Sequence, residues 1–322
     1  MTGVVLVTGG AGYVGSHACK ALAAAGFRPV TLDDLSRGHR DAVRWGPLEE
    51  VSLLDRDRVA DVVRRWQPIA AMHFAALAYV GESVSQPLDY WRVNLTGSLN
   101  LIEALVQHGT KHIVFSSTCA TFGTPDSVPI KADAPQRPIN PYGASKLAVE
   151  RLLADAEGAH GITSVALRYF NAAGADPEGE IGERHDPETH LIPLAIMAAL
   201  GTGAPLTIHG DDWPTPDGTC IRDYVHVTDL ASAHVLALRH LLGGGASARV
   251  NLGTGRGTSV KEIVTAVAAA TGRDVPHRFG QRRPGDPAEL VADPAAATAL
   301  LGWQPAFSDR IVETAVAWAR RA

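Results

Sequence analysis

Two residues set four apart, Tyr142 and Lys146, carry the first chemical signal in this chain. They follow Asn140 and Pro141 in the run Asn-Pro-Tyr-Gly-Ala-Ser-Lys. Asn140 suits an N-cap, and Pro141 suits the first helical position, where its missing N–H is no loss. The following Leu147, Val149, Leu152 and Leu153 suit a half-buried helix. Residues at i and i+4 share a helix face, so a phenol would lie beside an ammonium. A free phenol titrates near ~10, and bringing it to neutrality takes about three units, or roughly 4 kcal/mol. One cation about 4 Å away supplies that much at a protein-like dielectric. Tyr142 is therefore a candidate base and Lys146 the charge that tunes it. Alone the spacing is weak, and an ordinary surface helix shows it too.

The elements that would hold this pair come earlier. Residues 4–7 read as a strand buried on both faces. Gly9, Gly12, Tyr13, Val14 and Gly15 follow in a glycine-rich turn, and an alanine-rich helix runs to about Ala25. Such a turn lets backbone approach a pyrophosphate at a helix N-terminus. A second strand, 29–32, ends at Asp33. An acid about 20 positions beyond the glycines can accept from a ribose 2′-hydroxyl and would repel a 2′-phosphate. This favours NAD over NADP, with Arg37 close by as a weaker argument the other way.

Strand and helix then alternate. Strands are expected at 51–54, 69–74, 112–115 and 164–167, with helices at 58–66, 88–108 and from 141. That pattern predicts an α/β fold, a doubly wound parallel sheet of Rossmann type with a smaller α/β lobe. Ligands in such sheets sit beyond the C-terminal strand ends. Gly9, Asp33, Phe74, Thr118 and Phe170 all fall there. The first domain is expected over 1–175, with 221–245 returning to it, and the second over 176–322. Residues 174–189 read as a loop, 191–200 and 228–241 as helices, and Ser259 to Glu262 as a capping box.

Composition narrows the class. The chain has 322 residues, 46% hydrophobic and 20% charged, enough for a full core. Its net charge of −5 points away from nucleic acid and membrane surfaces, so an anionic substrate would need local arginines. The three cysteines, Cys19, Cys119 and Cys220, form no CxxC pair and suit a reduced, cytoplasmic protein. The N-terminus reads as a strand rather than a signal peptide, and no apolar run is long enough for a membrane span. The 13 histidines show no HExxH or similar spacing, and no metal is expected. Gly253 to Gly257 could cradle a phosphate but reads better as a packing turn, and 211–218 as a surface loop.

The chain is similar to the extended short-chain dehydrogenase/reductase superfamily. The similarity rests on the glycine loop, Asn94, the Ser116-Ser117-Thr118 strand end and Tyr142-x-x-x-Lys146. Within it, the UDP-glucose 4-epimerase family is resembled by His73-Phe74-Ala75-Ala76, Val80-Gly81-Glu82-Ser83, Arg168 to Gly174, Asp217 to Tyr224 and Asn251 to Gly255. The resemblance runs nearly end to end. It implies a tightly held NAD and transient oxidation of a UDP-sugar at C4. It implies Tyr142, Lys146 and Thr118 as catalytic residues. Cofactor contacts are implied for the glycine loop, Asp33, Asp34, Leu35, Ser36, Arg37, Gly38, Ser52, Leu53, Phe74, Ala75, Ala76, Asn94, Thr118 and Phe170, besides the catalytic pair. For the substrate it implies Arg222 and Arg283 on the diphosphate, Asp286 on the uridine ribose, and Asn171, Leu191 and Leu290 near the sugar, with Thr118 and Tyr142. It also implies a homodimer.

Four positions depart from the family pattern: Ser52 stands for an aspartate, Ala78 for a lysine, Thr118 for a serine, and Leu290 for a tyrosine or a smaller residue. UDP-xylose/UDP-arabinose epimerisation would use the same residues. A 4,6-dehydratase would place Asp-Glu after the threonine, where Cys119-Ala120 stand. A non-catalytic NAD-binding regulator need not keep Tyr142, Lys146 and Thr118 together.

Overall fold

The computed structural model describes residues 3–283 and 286–321. Six strands come before residue 170: β1 (Val4–Thr8), β2 (Arg28–Asp33), β3 (Leu48–Glu50), β4 (Ala70–His73), β5 (His112–Thr118) and β6 (Thr163–Tyr169). A seventh, Ala248–Leu252, closes the sheet on the β6 side. The order is Ala248–Leu252, β6, β5, β4, β1, β2, β3, and every pairing is parallel. This is the doubly wound sheet that alternating strand and helix predicts.

Alternation along the strands divides the core. Val5 and Val7 face one layer with Ala18 and Leu22 of helix Tyr13–Ala24, and with Leu230, Leu238 and Leu241 of helix Val227–Leu242. Leu6 faces the other, with Val59 and Val62 of helix Arg56–Trp66, Leu101 and Leu105 of helix Gly97–Gln107, and Val149 and Leu153 of helix Pro141–His160. Strands buried on both faces carry apolar residues at successive positions for this reason. After Gly174 the chain has no helix or strand until helix Leu191–Leu200. That helix packs with helix Val260–Thr271 and strand Leu206–His209 around a separate cluster that includes Ile192, Ile196, Ile208, Ile263 and Val267.

Three expectations change. The strand expected at 51–54 lies earlier, at Leu48–Glu50, where it pairs with Thr31 to Asp33. Val51 donates to the Asp33 carbonyl at 3.1 Å, and the chain then turns. Val51 and Leu53 are buried in the core, which is why they resemble a strand. The turn delivers Asp55, which caps helix Arg56–Trp66 by accepting from the Arg58 amide. The single helix expected at 88–108 is broken. A π-helical turn, Trp91–Thr96, separates Pro87–Tyr90 from Gly97–Gln107. The main sheet also takes a strand from beyond 245, since Ala248–Leu252 runs beside β6.

Helix Pro141–His160 is fixed at both levels. Asn140 caps it, accepting from the Gly143 amide at 2.8 Å. Deeper, Glu150 receives two bonds from Arg168 of β6, at 2.9 and 2.6 Å, and one from Ser117 of β5 at 2.6 Å. The Glu150 and Arg168 side chains are 2% and 3% exposed. Removing one member of such a pair strands the other charge. Glu150→Ala should lower unfolding free energy by about 3–5 kcal/mol in urea titration. An unchanged midpoint would show that the helix is held some other way.

Candidate active site

The glycine loop is built by close approach. Gly9 has φ of +72°, and a Cβ there would stand 2.5 Å from the Ala75 amide nitrogen. Gly15 meets the Gly9 carbonyl, where a Cβ would come within 2.1 Å. Helix Tyr13–Ala24 starts after Gly12 with no side-chain cap. Its first amides keep the partial positive charge that an anion neutralises. Tyr13 spans outward, and its hydroxyl donates to the Gly174 carbonyl at 2.6 Å. Val14 packs against the core.

Asp33 ends β2 and is 8% exposed. Its carboxylate accepts from the Ala11 and Leu35 amides at 3.0 and 2.9 Å. Burial pushes the carboxyl up, and the two amides oppose the shift. Gly38 lets the next loop close, since a Cβ there would lie 2.9 Å from Asp33 Oδ1. Asp34 holds Ser36 through its amide and hydroxyl. Arg37 turns away: it donates to Glu82 at 2.6 Å and to the Asp186 carbonyl at 3.1 Å, and stacks over Tyr79. A cradle that a Cβ would fill, beside a buried acid and an Arg37 already paired with Glu82, fits NAD and suits a 2′-phosphate poorly. Ser52 sits in the turn after β3, where its hydroxyl lies 3.4 Å from the Leu54 amide. Leu53 is buried in the core, and its carbonyl accepts from Asn100.

Asn94 links the site's elements rather than standing in the open. Its amide group exchanges bonds with the Leu77 backbone at 2.8 and 3.0 Å and donates to Ser145 at 2.9 Å. It thereby ties the chain after Phe74, Ala75 and Ala76 to the Tyr142 helix. The π-turn is the local distortion that carries it there. His73, which the sequence marks only as part of a motif, is a support. Buried under the loop, it bonds Thr8 and Ser98 at 2.7 Å each. Tyr90 is another, with its ring edge-on to Tyr142 at 6.4 Å.

Tyr142 and Lys146 are 9% and 4% exposed. The expectation that Lys146 lowers the phenol is corrected for the protein alone. Burial dominates and pushes Tyr142 up, with Tyr169 adding to the shift and the Thr118 hydroxyl opposing it. Burial also lowers Lys146 to about 7, against the Glu150 carboxylate. The Lys146 ammonium donates to the Ser116 carbonyl at 2.9 Å and lies 4.9 Å from the Phe115 ring centre. Both groups are pushed toward their neutral forms because both lose water.

A second set of residues lies around Arg222 and Leu290. Leu290 pairs with Arg222 in a short sheet, and packs with Phe170 and Cys119. Burial raises the Cys220 thiol, and Arg222, Asp286 and Arg283 all act on it, so these three charges share one neighbourhood. Arg222 also opposes the rise of the buried Cys119 thiol, beside Thr118. The Arg222 guanidinium donates to the Ile221 carbonyl at 2.8 Å. Asn171 donates its amide to the Asp223 carbonyl. Leu191 opens its helix against the small-lobe core. The turn expected around Arg283 includes Pro284 and Gly285, which lie outside the described residues. The Gly253–Gly257 turn holds a side chain: Asp223 takes the Thr254 and Gly255 amides at 2.8 and 3.1 Å.

The buried lysine gives a pH prediction. Unfolded lysine titrates near ~10.4, so from pH ~7 to ~10 the unfolded chain holds a proton that the folded chain lacks. Stability therefore rises with pH across that window. Lys146→Met removes the effect. In chemical denaturation, wild type should gain stability relative to the variant as pH rises from ~7. Parallel pH profiles would show that Lys146 is not desolvated.

Residues 5–253 match the family model described as NAD dependent epimerase/dehydratase family. The UDP-glucose 4-epimerase of Rhizobium leguminosarum bv. trifolii is 51% identical over 315 residues, covering 98% of this chain and 96% of that one. A crystal structure of UDP-glucose 4-epimerase from Brucella ovis in complex with NAD superposes with a TM-score of 0.96 at 53% identity, covering 98% of each chain. The Stenotrophomonas maltophila UDP-glucose 4-epimerase, with bound NAD and formylated UDP-arabinopyranose, reaches 0.95 at 40% identity, covering 99% of this chain and 98% of that one. With its seven-stranded sheet and glycine loop, the chain belongs to the NAD dependent epimerase/dehydratase family.

Proposed function

We propose that this protein is an NAD-dependent isomerase that interconverts UDP-glucose and UDP-galactose by inverting C4. The observation that carries the reading is the joint burial of Tyr142 and Lys146 at the strand ends beside Thr118, with Arg222 close enough to act on Cys119. The relatives' names favour the hexose over the pentose reading.

The C4–H of a hexose is not acidic, so inversion needs oxidation first. NAD, when bound on the glycine loop and Asp33, supplies reversible hydride acceptance. Tyr142 takes the proton of the 4-hydroxyl through its phenolate oxygen. Thr118 hydrogen-bonds the same oxygen. Lys146, held by the Ser116 carbonyl, anchors the nicotinamide ribose. Arg222 and Arg283 grip the diphosphate, and Asp286 the uridine ribose. Asn171, Leu191 and Leu290 border the sugar with neutral groups, which leave the ring free to turn over. Tyr142 then returns the proton to the oxygen on the new face, and the base is regenerated. No acid follows Thr118, so the proton pair for water loss is missing.

We place the protein in the cytoplasm, and among the described residues no helix is long and apolar enough to cross a membrane. We propose a homodimer through the segments around 80–107 and 141–160. In its support, Val80, Val84, Leu88, Trp91 and Leu99 form a run of exposed apolar side chains on the first segment, with Leu88 73% exposed. Light scattering should give twice the chain mass, and Leu88→Lys should halve it. A monomeric wild type would refute the dimer.

Incubation with UDP-galactose and no added NAD should yield UDP-glucose. Tyr142→Phe should slow turnover by about 10²–10⁴-fold while NAD still co-purifies. A variant as active as wild type would remove Tyr142 from the mechanism.

A further inference from the structure

The loop before helix Leu191–Leu200 brings together Glu183, His185, Glu188 and His190. One ligand atom from each lies within 4.8 Å of all the others. In the sequence the histidines are scattered, and two Glu-x-His pairs in a loop match no helical ligand spacing. We propose that these four side chains bind a divalent first-row transition metal, with zinc the best fit, as a closed structural site.

Three of the four histidine–carboxylate distances come close to tetrahedral edges. Bonds of about 2.0–2.1 Å to nitrogen and oxygen give ligand–ligand edges of about 3.3–3.4 Å. His185 Nδ1 lies 3.3 Å from Glu183 and 3.4 Å from Glu188. His190 Nδ1 lies 3.2 Å from the same Glu183 oxygen and hydrogen-bonds the other Glu188 oxygen at 2.8 Å. His185 Nδ1 is buried and makes no hydrogen bond, although it faces two carboxylates. A metal at the shared centre would give that nitrogen a partner.

Charge supports the same reading. The Glu183 and Glu188 side chains are only 8% and 10% exposed. Among the described residues, neither makes an ion pair with a lysine or arginine. Buried carboxylates need a counter-charge, which the two histidines supply only when protonated. A divalent ion with two neutral imidazoles gives a neutral site. A nearby acidic group, Asp176, Glu178 and Glu180, differs on this point, because Lys20 bridges all three at 2.6–2.8 Å. The metal cluster also has an outer shell. The Thr189 and His190 amides donate to Glu188 at 2.7 and 2.8 Å and orient it. Imidazole with carboxylate suits zinc better than magnesium or calcium, which prefer all-oxygen sites.

The position gives such a site a structural use. Tyr13 and Tyr79 lie edge-on to His185 at 6.2 and 5.8 Å. Tyr13 starts the glycine-loop helix, and Leu191 follows His190 directly. A metal would brace the loop between the dinucleotide cradle and the start of the small lobe.

The test uses full-length protein without a histidine tag. After removal of metal by a chelator and dialysis, one equivalent of zinc should bind, in competition with a chromophoric chelator. Cobalt in its place should give the visible absorption of a tetrahedral site. His185→Ala with His190→Ala should lose stoichiometric binding while its far-UV circular dichroism and NAD content persist. Should that variant misfold, Glu188→Gln should lower zinc occupancy under the same competitor. Folded wild type that takes up no zinc or cobalt would overturn the proposal and leave a histidine–carboxylate ion cluster. Unchanged uptake in both variants would overturn it as well.

Discussion

The structure turns on the desolvation of two groups at one sheet edge. Tyr142 and Lys146 lose water together, and each is pushed toward its neutral form. Burial of that kind makes a proton-transfer pair sensitive to any charge that arrives beside it, because the local dielectric is low. The surroundings keep the pair in place. The Ser116 carbonyl fixes the ammonium, Asn140 starts the helix, and Glu150 with Arg168 holds it to the sheet. Asn94 joins the same helix to the chain that follows β4. A positively charged nicotinamide is a charge of the sign that would stabilise a phenolate there.

Around this edge the chain divides rigid binding from permissive binding. The dinucleotide cradle depends on backbone contacts so close that Gly9, Gly15 and Gly38 have no room for a Cβ. Across from it, the charged residues Arg222, Arg283 and Asp286 share one region, while Leu290 and Phe170 pack with Cys119. Charges at one end and neutral groups at the other suit a ligand held by its nucleotide and free at its sugar. The reading of a C4 epimerase needs that asymmetry.

Much of this was legible in the residues. Doubly buried strands carry runs of successive apolar residues, so β1, β2, β4, β5 and β6 stand out. The Asn140 cap, the Ser259–Glu262 capping box and helix Leu191–Leu200 follow from local chemistry and appear as read. The misses have local causes. The sequence Leu48-Glu49-Glu50 looks too polar for a strand, yet it lies at the sheet edge, where only one neighbour is needed. Val51 and Leu53 are apolar because they fill the core from a turn. The π-turn at Trp91–Thr96 leaves no mark in the hydrophobic pattern, since it shifts the register by one residue. Long-range partners such as His73 with Ser98, or Asp223 with the Gly253–Gly257 turn, exist only once the chain is folded. The convergence of Glu183, His185, Glu188 and His190 belongs to the same kind.

The most direct measurement is the ionisation of the Tyr142 phenol, by ultraviolet difference titration against Tyr142→Phe, with NAD bound and after its removal. In the stripped protein the phenol should ionise above the ordinary tyrosine value of ~10, and with NAD bound well below it. A phenol that stays protonated past that value in both forms would contradict the role of Tyr142 as the base.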